Sequence, residues 1–274
     1  MDDKLAILQE LQKTELNQYF YVRTNLTDVI NKINEDPEQQ VYKENLSELR
    51  KIDISYIDES RIFYVTDKNY IRKFVDNQMD LEFLGFTYDE DNIFRERYII
   101  PIYDYDYIAI GMCGYDNMSN IKYMFARTEF FDKTKILYNK QNIDYSNKFI
   151  IIVEGFFDSI RLNSIGFKNN CALMGARLYK YQKTIIERFK YCILIPDNDQ
   201  TGISELKNWM NIGVPKAVIY LPEGIKDIDE YFKRAMENDL YNKAVQDFKN
   251  VVSKVEFRLE HKLKGKLDSV YYLK

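Results

Sequence analysis

From Lys148 onwards, short runs of purely apolar residues alternate with longer segments that are apolar on one face only. A strand that is apolar along its whole length is covered on both faces of its sheet, and helices between successive strands provide that cover. The alternation therefore predicts an α/β domain built on a parallel sheet flanked by helices. We expect strands at 149–153, 171–174, 191–196 and 216–220, and helices at 157–165, 179–189, 202–210, from near 229 and at 240–264.

The chain before Lys148 has a different pattern. Residues 1–86 place apolar side chains at mixed spacings of three and four, which predicts helices. Between Phe94 and Asn139, strand-like runs are separated by turns rich in Asp, Asn and Gly, which predicts a small mixed sheet. We therefore divide the chain into a helical N-terminal region (1–86), an α+β subdomain (87–147), the parallel-sheet domain (148–235) and a helical tail (236–274).

Composition excludes several kinds of site. The only histidine is His261, and Cys113, Cys171 and Cys192 lie far apart among apolar neighbours, as buried thiols do. Zinc sites of Cys and His, Ser-His-Asp triads and Cys-His pairs therefore lack their parts. Nothing in the sequence resembles a signal peptide, and the longest apolar runs are only as long as strands. We expect a cytoplasmic protein without a membrane partner, in which carboxylates hold any metal and zinc plays no part.

Acidic residues follow three of the predicted strands at the point where each strand ends. Glu154 directly follows the first strand, Asp197-Asn-Asp199 follows the third, and Asp227-Ile-Asp229 follows the fourth after a short loop. In an open parallel sheet, active groups collect beyond the carboxyl ends of the strands. The spacing therefore predicts that these acids converge on one crevice.

Clustered carboxylates repel one another unless a cation holds them together. Their hard oxygen atoms select Mg²⁺ or Mn²⁺, and in phosphoryl transfer two such ions about 4 Å apart activate the attacking oxygen and stabilise the leaving one. Gly155 and Gly202 suit turns in which the backbone approaches a metal or a phosphate, and a helix beginning at Gly202 would direct its positive end into the crevice.

Each acid also has a purely structural explanation. A single acid at a strand end is commonly a helix cap or a solvated loop residue, and Asp229 could cap its helix. Asp158, in the first turn of a predicted helix, could simply interact with the helix dipole. The recurrence of acids at three strand ends favours a common site for Glu154, Asp197 and Asp199 over these explanations.

Four segments resemble the successive motifs of the Toprim fold as found in bacterial-type, DnaG-like primases. They are Ile151-Ile-Val-Glu-Gly-Phe-Phe-Asp158, Ala172-Leu-Met-Gly-Ala176, Pro196-Asp-Asn-Asp-Gln-Thr-Gly202 and Lys226-Asp-Ile-Asp-Glu230. The resemblance implies two or more Mg²⁺ or Mn²⁺ ions, with Glu154, Asp197 and Asp199 catalytic. The implied metal ligands are Glu154, Asp158, Asp197, Asp199, Asp227 and Asp229. Toprim domains also occur in topoisomerases and nucleases, so these motifs leave the reaction open.

The upstream segments resemble the primase subdomain that precedes Toprim, in the same order and with similar gaps. They are Phe94-Arg-Glu-Arg-Tyr-Ile-Ile-Pro-Ile-Tyr-Asp104, Gly111-Met-Cys-Gly114, Lys122-Tyr123 and Phe131-Asp-Lys-Thr-Lys-Ile-Leu-Tyr138. The resemblance runs from about Phe83 to Tyr231. It implies contacts with nucleotide and template from Arg95, Arg97, Lys122, Lys133, Gly155, Gly175 and Gly202; for each basic residue the alternative is a solvated surface charge.

The chain departs from the family pattern at three places. It reads Gly111-Met-Cys-Gly-Tyr115 where the family commonly has Gly-Phe-Gly-Gly-Arg, so one arginine is lost. Met-Phe-Ala follows Lys122-Tyr123 instead of Leu-Asn-Ser, and Ala176 takes the place of a common threonine. We therefore expect the contacts with nucleotide or template along this wall to differ from those of the family.

The net charge of −4 is unusual for a nucleic-acid-binding protein, which generally has a basic face. The six acids assigned to the metal site exceed this deficit, and bound cations would neutralise them. Residues 121–140 carry five Lys or Arg and two acids, and the tail contains His261-Lys-Leu-Lys-Gly-Lys266. Local basic patches are therefore expected despite the negative total.

The resemblance implies a DNA primase, a nucleotidyltransferase that uses nucleoside triphosphates and a single-stranded DNA template. The alternatives are a Toprim nuclease, in which Glu154 would transfer a proton, and a catalytically degenerate replisome adaptor; a topoisomerase is disfavoured because the chain lacks room for the additional domains. Primases of this type usually also carry a zinc module and a helicase-docking domain, neither of which is recognisable here. We therefore expect start-site selection to come from a separate zinc-binding or replisome protein, or from the helical region 1–86. The resemblance also implies a replicative helicase as a partner.

Overall fold

The structure, a computed structural model, describes residues 25–75, 94–126, 131–261 and 269–273. The chain divides into two compact units. The first unit comprises residues 1–46 and 57–131, and the second comprises residues 47–56 and 132–274. The basic segment 262–266 of the predicted tail lies outside the described residues.

An antiparallel sheet organises the first unit. Its strands are β1 (Phe63–Val65), β2 (Arg97–Tyr103), β3 (Ala109–Tyr115) and β4 (Tyr123–Phe125), in that spatial order. Helices precede it along the chain, namely α1 (residues 25–35), α2 (Gln39–Arg50) and α3 (Ile54–Glu59), and α4 (Lys68–Arg72) follows β1. The predicted sheet therefore exists, but it is antiparallel rather than mixed, and β1 comes from the region predicted to be helical.

Four tyrosines form a ladder across one face of this sheet. Tyr64 on β1, Tyr98 on β2, Tyr115 on β3 and Tyr123 on β4 are successive cross-strand partners. Their ring centroids lie 4.9, 6.4 and 5.2 Å apart in that order. Directly opposed aromatic side chains stabilise antiparallel pairing, so the ladder helps to set the register of the strands.

The second unit contains a five-stranded sheet with the spatial order β6-β5-β7-β8-β9. All of its neighbouring strands are parallel. The strands are β5 (Phe149–Val153), β6 (Asn170–Ala172), β7 (Tyr191–Leu194), β8 (Lys216–Tyr220) and β9 (Ser269–Tyr272). The helices are α5 (Phe156–Ser164), α6 (Lys180–Ile186), α7 (Gln200–Trp209), α8 (Ile228–Glu237) and α9 (Tyr241–His261).

The predicted parallel sheet is confirmed, and β5 and β8 have the predicted bounds. Strand β7 ends two residues earlier than expected, at Leu194, and α7 begins at Gln200 instead of Gly202. The expectation that a helix finishes the chain was wrong, because β9 follows α9 and pairs with β8. Strand β9 has only four residues, so its alternation was too short to stand out beside a long amphipathic helix.

The apolar strand runs are buried as expected, and the three cysteines are free buried thiols. Ile152, Leu194 and Trp209 belong to the main core cluster of the second unit. The Trp209 indole also donates a hydrogen bond of 2.7 Å to the carbonyl oxygen of Ala176, in the loop after β6. No helix in the described ranges combines the length and apolar character needed to cross a bilayer.

A buried network of polar side chains joins α5 to β6. The Asn170 amide nitrogen donates to the Asn163 side-chain oxygen at 2.8 Å and to the Phe167 carbonyl at 2.7 Å. The Ser159 hydroxyl donates to the Asn170 side-chain oxygen at 2.6 Å. Asn170 and Ser159 are fully buried, so water cannot replace these bonds.

Replacing Asn170 by Ala should lower the free energy of unfolding by about 2–3 kcal/mol, because Ser159 and Asn163 would lose buried partners. Urea denaturation followed by circular dichroism measures this loss. Asn238→Ala is the matched control, since the exposed Asn238 side chain makes one bond, to the Arg234 carbonyl; it should change stability by less than about 0.5 kcal/mol. Equal losses in the two variants would contradict the role of the network.

Candidate active site

The structure brings together the loops that follow three neighbouring strands, β5, β7 and β8. Glu154 follows β5, and its Oε1 atom accepts a hydrogen bond of 3.0 Å from the backbone amide of Asp197, beyond β7. The amide of Asn198 in turn donates to the carbonyl oxygen of Lys226, beyond β8, at 2.6 Å. The acids predicted from the strand ends therefore lie on hydrogen-bonded neighbouring loops.

Asp158 lies in the first turn of α5, and backbone amides hold both of its oxygen atoms. The Gly155 amide donates to Oδ2 at 3.0 Å, and the Asp229 amide donates to Oδ1 at 3.1 Å. The Asp158 side chain is buried, with 5% of the residue exposed. Asp158 therefore belongs to the acid cluster, in addition to lying in the first turn of α5.

Asp199 and Asp227 are the N-caps of α7 and α8. Oδ1 of Asp199 accepts from the amides of Thr201 and Gly202, both at 2.9 Å, and Oδ1 of Asp227 accepts from the Glu230 amide at 2.8 Å. The capping alternative raised for Asp229 therefore applies to Asp227 instead. Capping uses one oxygen of each carboxylate and directs the positive ends of both helices towards the acids.

Lys226 is a functional candidate that the sequence analysis missed. Its Nζ atom lies 3.3 Å from Oδ2 of Asp197 and 3.5 Å from Oδ2 of Asp199. The signal was a basic residue directly before Asp227 in an otherwise acidic motif. The ammonium group provides a positive charge beside two of the clustered carboxylates.

Asp229 has a different environment from the other acids. Its carboxylate pairs with Arg161 at 2.9 Å and with Arg50 at 3.0 Å, and its side chain is only 3% exposed. Neither arginine was predicted. Arg161 could have been noticed as a cation within the apolar helix α5, whereas nothing in the local pattern around Arg50 indicates such a contact.

Burial and mutual repulsion raise the pKa values of the innermost acids. Burial, followed by the charge of Asp197, raises the pKa of Glu154 to about 7. Burial also raises the pKa of Asp197 to about 6, against the lowering effect of Lys226. The pKa of Asp158 lies well above its ordinary value, because of burial and the charges of Asp227 and Asp197. By contrast, the Gly202 amide lowers the pKa of Asp199.

In the structure, the acids of the cluster are not positioned to coordinate one metal ion together. Within the described residues, no group of three or more Asp, Glu, His or Cys side chains is arranged to hold a metal ion. Glu154, Asp158 and Asp197 have pKa values raised by burial and by neighbouring carboxylates, and the donor atoms of the cluster are all oxygens. Metal binding at this cluster therefore stays a prediction.

Two glycines beside the acids meet different backbone requirements, a close approach at Gly202 and a positive φ at Gly175. A Cβ atom on Gly202 would lie 2.3 Å from the Asp197 carbonyl oxygen and 2.6 Å from Oε1 of Glu154. Gly175 has a φ of +144° and donates its amide to the Glu154 carbonyl oxygen at 3.3 Å. Both glycines thus contact residues of the acid cluster, and their contacts with nucleotide or template stay a prediction.

The predicted basic residues have unequal surroundings. Arg95 and Lys122 are exposed, and the Lys122 ammonium lies 5.9 Å from the Tyr115 ring centroid and 5.7 Å from that of Tyr123. Arg97 is buried and donates to the Ile121 carbonyl and the Ser119 hydroxyl, both at 2.9 Å. Its guanidinium thus holds the loop between β3 and β4. Lys133 is half-buried in a short 3₁₀ turn of the second unit.

Sequence comparisons relate this chain to primases. A family model described as Toprim-like matches residues 151–232. The DNA primase of Clostridium acetobutylicum is 33% identical over 179 residues, which cover 61% of this chain and 28% of that protein. The DNA primase of Aquifex aeolicus is 26% identical over 244 residues, covering 82% of this chain and 47% of that protein. The chain thus spans less than half the length of these curated relatives.

Solved structures are similar over most of the chain. The DnaG primase catalytic domain bound to single-stranded DNA has a TM-score of 0.66 at 21% identity, covering 82% of this chain and 80% of that one. The zinc-binding and RNA polymerase domains of Aquifex aeolicus primase have a TM-score of 0.65 at 24% identity, covering 88% of this chain and 65% of that one. These likenesses establish that the fold is that of the DnaG catalytic core.

Glu154→Gln should reduce the loss of stability that accompanies rising pH in metal-free buffer. The folded-state pKa of about 7 is above the ordinary value of 4.5, so the protonated acid stabilises the fold below pH 4.5, and this contribution disappears as the pH rises through 7. Between pH 5 and pH 8, the loss should be smaller in the variant by on the order of 1–2 kcal/mol. Chemical denaturation at a series of pH values measures it.

Glu223→Gln, in the exposed loop after β8, is the control and should follow the wild-type pH dependence. The same pH dependence in Glu154→Gln and wild type would contradict the raised pKa.

Proposed function

We propose that this chain, a relative of the DnaG-type primases with a Toprim-like domain, is the catalytic part of a DNA primase. Such an enzyme synthesises short RNA primers on single-stranded DNA by metal-dependent nucleotidyl transfer during replication. The observation that carries the proposal is the extent of the similarity: the match to Aquifex aeolicus primase covers 82% of the chain, whereas the Toprim-like match covers residues 151–232. Similarity restricted to the Toprim motifs would fit other phosphoryl-transfer enzymes equally well.

The acid cluster fits Mg²⁺ or Mn²⁺ in donor chemistry. It offers only carboxylate oxygens, which these hard cations prefer, and the mutual repulsion of the acids would be relieved by bound positive charge. The resemblance assigns this role to Glu154, Asp158, Asp197, Asp199, Asp227 and Asp229. When bound, the cations would neutralise phosphate charge and lower the pKa of an attacking hydroxyl.

The protein residues would contribute proton transfer and charge. Glu154, with a pKa of about 7, would exchange a proton near neutral pH, which suits an acceptor for the proton of a 3′-hydroxyl group. That hydroxyl would attack the α-phosphate of a nucleoside triphosphate, with pyrophosphate as the leaving group. Lys226 would offer its ammonium group to the incoming phosphates.

The basic residues would bind nucleotide and template. Arg95, Lys122 and Lys133 have at least partly accessible side chains for phosphate contacts. Arg97 would act indirectly, because its guanidinium holds the loop that ends at Lys122. The cytoplasm would be the place of action, and a replicative helicase and a separate start-site-selecting protein are the proposed partners.

A Toprim nuclease is the second candidate, because Glu154 with its raised pKa would also suit activation of water. The two functions differ in substrate. A primase requires nucleoside triphosphates and lengthens a chain, whereas a nuclease needs none and shortens the DNA. Incubation with single-stranded DNA, labelled ATP and Mg²⁺ or Mn²⁺ distinguishes labelled RNA from cleaved DNA, and neither product would favour a replisome adaptor.

Asp197→Asn should reduce primer synthesis at limiting Mg²⁺ by about 100-fold or more, since it removes charge from the reaction centre. The fold should not lose stability, because the variant removes a buried acid whose pKa is raised. Primer extension on a single-stranded template measures activity, and thermal denaturation measures stability. Exposed Glu223→Gln is the control, expected to be unaffected; wild-type synthesis by Asp197→Asn would refute the assignment.

Lys122→Ala and Lys133→Ala should weaken nucleotide or template binding and leave metal affinity unchanged. If a lysine contacts the DNA backbone, its loss should lower the slope of log affinity against log salt by about 0.7 for single strands. Fluorescence anisotropy with labelled oligonucleotides measures the slope, with exposed Lys207→Ala on α7 as control. An unchanged slope together with unchanged nucleotide affinity would show that both lysines are solvated surface charges without a binding role.

A further inference from the structure

The carboxylate of Asp229 is fully engaged by arginines. Its Oδ1 atom accepts from Nε of Arg161 at 2.9 Å and also lies 2.9 Å from the NH2 group of Arg161. Its Oδ2 atom accepts from NH1 of Arg50 at 3.0 Å. Arg161 thus holds one carboxylate oxygen and Arg50 the other, by charge-assisted hydrogen bonds that are stronger than neutral ones, and the Asp229 side chain is 3% exposed.

Arg161 is held as firmly on its other side. Its NH1 and NH2 groups donate to the carbonyl oxygens of Lys51 and Arg50 at 2.8 and 2.7 Å. These carbonyls lie at the end of α2, where the negative pole of the helix attracts a cation. Arg161 is completely buried, and a lysine could not reach the carboxylate and both carbonyls at once.

Arg50 completes the arrangement. Its guanidinium carbon lies 3.7 Å from the centroid of the Phe157 ring, so the cation is stacked as well as hydrogen-bonded. Phe157 is the residue before Asp158 on α5. All of these residues belong to the second unit. We call Arg161, Arg50 and Asp229 the arginine clamp.

The clamp connects to the acid cluster through the backbone of Asp229. The Asp229 amide donates to Oδ1 of Asp158 at 3.1 Å, while the Asp229 carboxylate faces the arginines. Asp227, two residues earlier, caps α8 with one oxygen and raises the pKa of Asp158 by its charge. The two acids of this motif therefore differ in their partners: Asp227 caps α8 and acts by its charge on Asp158, whereas the Asp229 carboxylate belongs to a buried ion-pair network.

We propose that Asp229 is not a metal ligand in this protein, and that Arg161 is a positioning residue which, through Asp229, orients Asp158 towards the cation. The proposal rests on the metal-dependent site of the proposed function and differs from the family resemblance, which makes Asp229 a ligand. The site would then draw on Glu154, Asp158, Asp197, Asp199 and Asp227. The buried guanidinium offsets part of the charge that Asp229 adds beside Asp158.

Mn²⁺ and Mg²⁺ binding to the full chain, measured by isothermal titration calorimetry, tests this proposal. Asp227→Asn should weaken binding most. Arg161→Met and Asp229→Asn should each weaken it by about 10-fold, as is usual for groups that orient a metal ligand, and the double variant should lose no more than either single one. Arg161→Lys should restore little of the loss. The control is Arg234→Met, which removes an exposed arginine paired with Glu230 on the same helix.

The outcomes separate the alternatives. If Asp229→Asn abolishes binding as Asp227→Asn does, while Arg161→Met leaves it unchanged or tighter, Asp229 is a ligand and the proposal is wrong. If the clamp variants lose thermal stability but keep the metal affinity of the wild type, the clamp is purely structural. That result would also overturn the proposal. Should Arg161→Met not fold, the double variant, which removes both charges, and Arg50→Met provide the same comparison.

The experiments give different results if the clamp proposal is wrong and if the proposed function is wrong. Calorimetry does not require catalysis, so non-additive losses in a protein that makes no primers would support the clamp and reject the primase. Undetectable binding by the wild type would overturn both. Primer synthesis together with independent, additive losses in the clamp variants would overturn the clamp alone.

Discussion

Repulsion among buried carboxylates at the carboxyl edge of the parallel sheet is the constraint around which the second unit is built. Backbone amides bind four of the acids: that of Asp197 binds Glu154, those of Gly155 and Asp229 bind Asp158, that of Gly202 binds Asp199, and that of Glu230 binds Asp227. These donors keep the four carboxylates in place while leaving the cluster short of positive charge. A site of this kind is stable enough to form and favours the approach of a cation.

The order of strands explains why the amides are available. Strands β5, β7 and β8 are neighbours, so the loops that follow them are adjacent, and both α7 and α8 begin there. Helix N-termini provide unpaired amides and a positive pole at the same edge. Gly202 completes the arrangement, because any side chain at this position would collide with the Asp197 carbonyl. The order of the strands therefore determines both where the acids lie and which amides bind them.

The positive charges near the cluster fall into two classes. Lys226 is exposed and lies beside the largely buried Asp197 and the more exposed Asp199, so a ligand could displace it at small cost. Arg161 is completely buried, and its removal would leave Asp229 without its closest partner. One cation is thus exposed beside the acids, and the other is buried in the ion-pair network around Asp229.

Local patterns in the sequence determined the parallel sheet, the approximate bounds of its helices and the acids at the strand ends. An apolar run indicates a buried strand, and a residue directly after such a run lies at the carboxyl edge of the sheet. The positions of Glu154 and Asp197 at this edge were therefore predictable. The tertiary structure alone decided which partner each acid has. Arg50 and Asp229 are 179 positions apart, and no periodicity links them. Contacts between remote segments depend on how elements pack, whereas the sequence pattern records only the periodicity of each element.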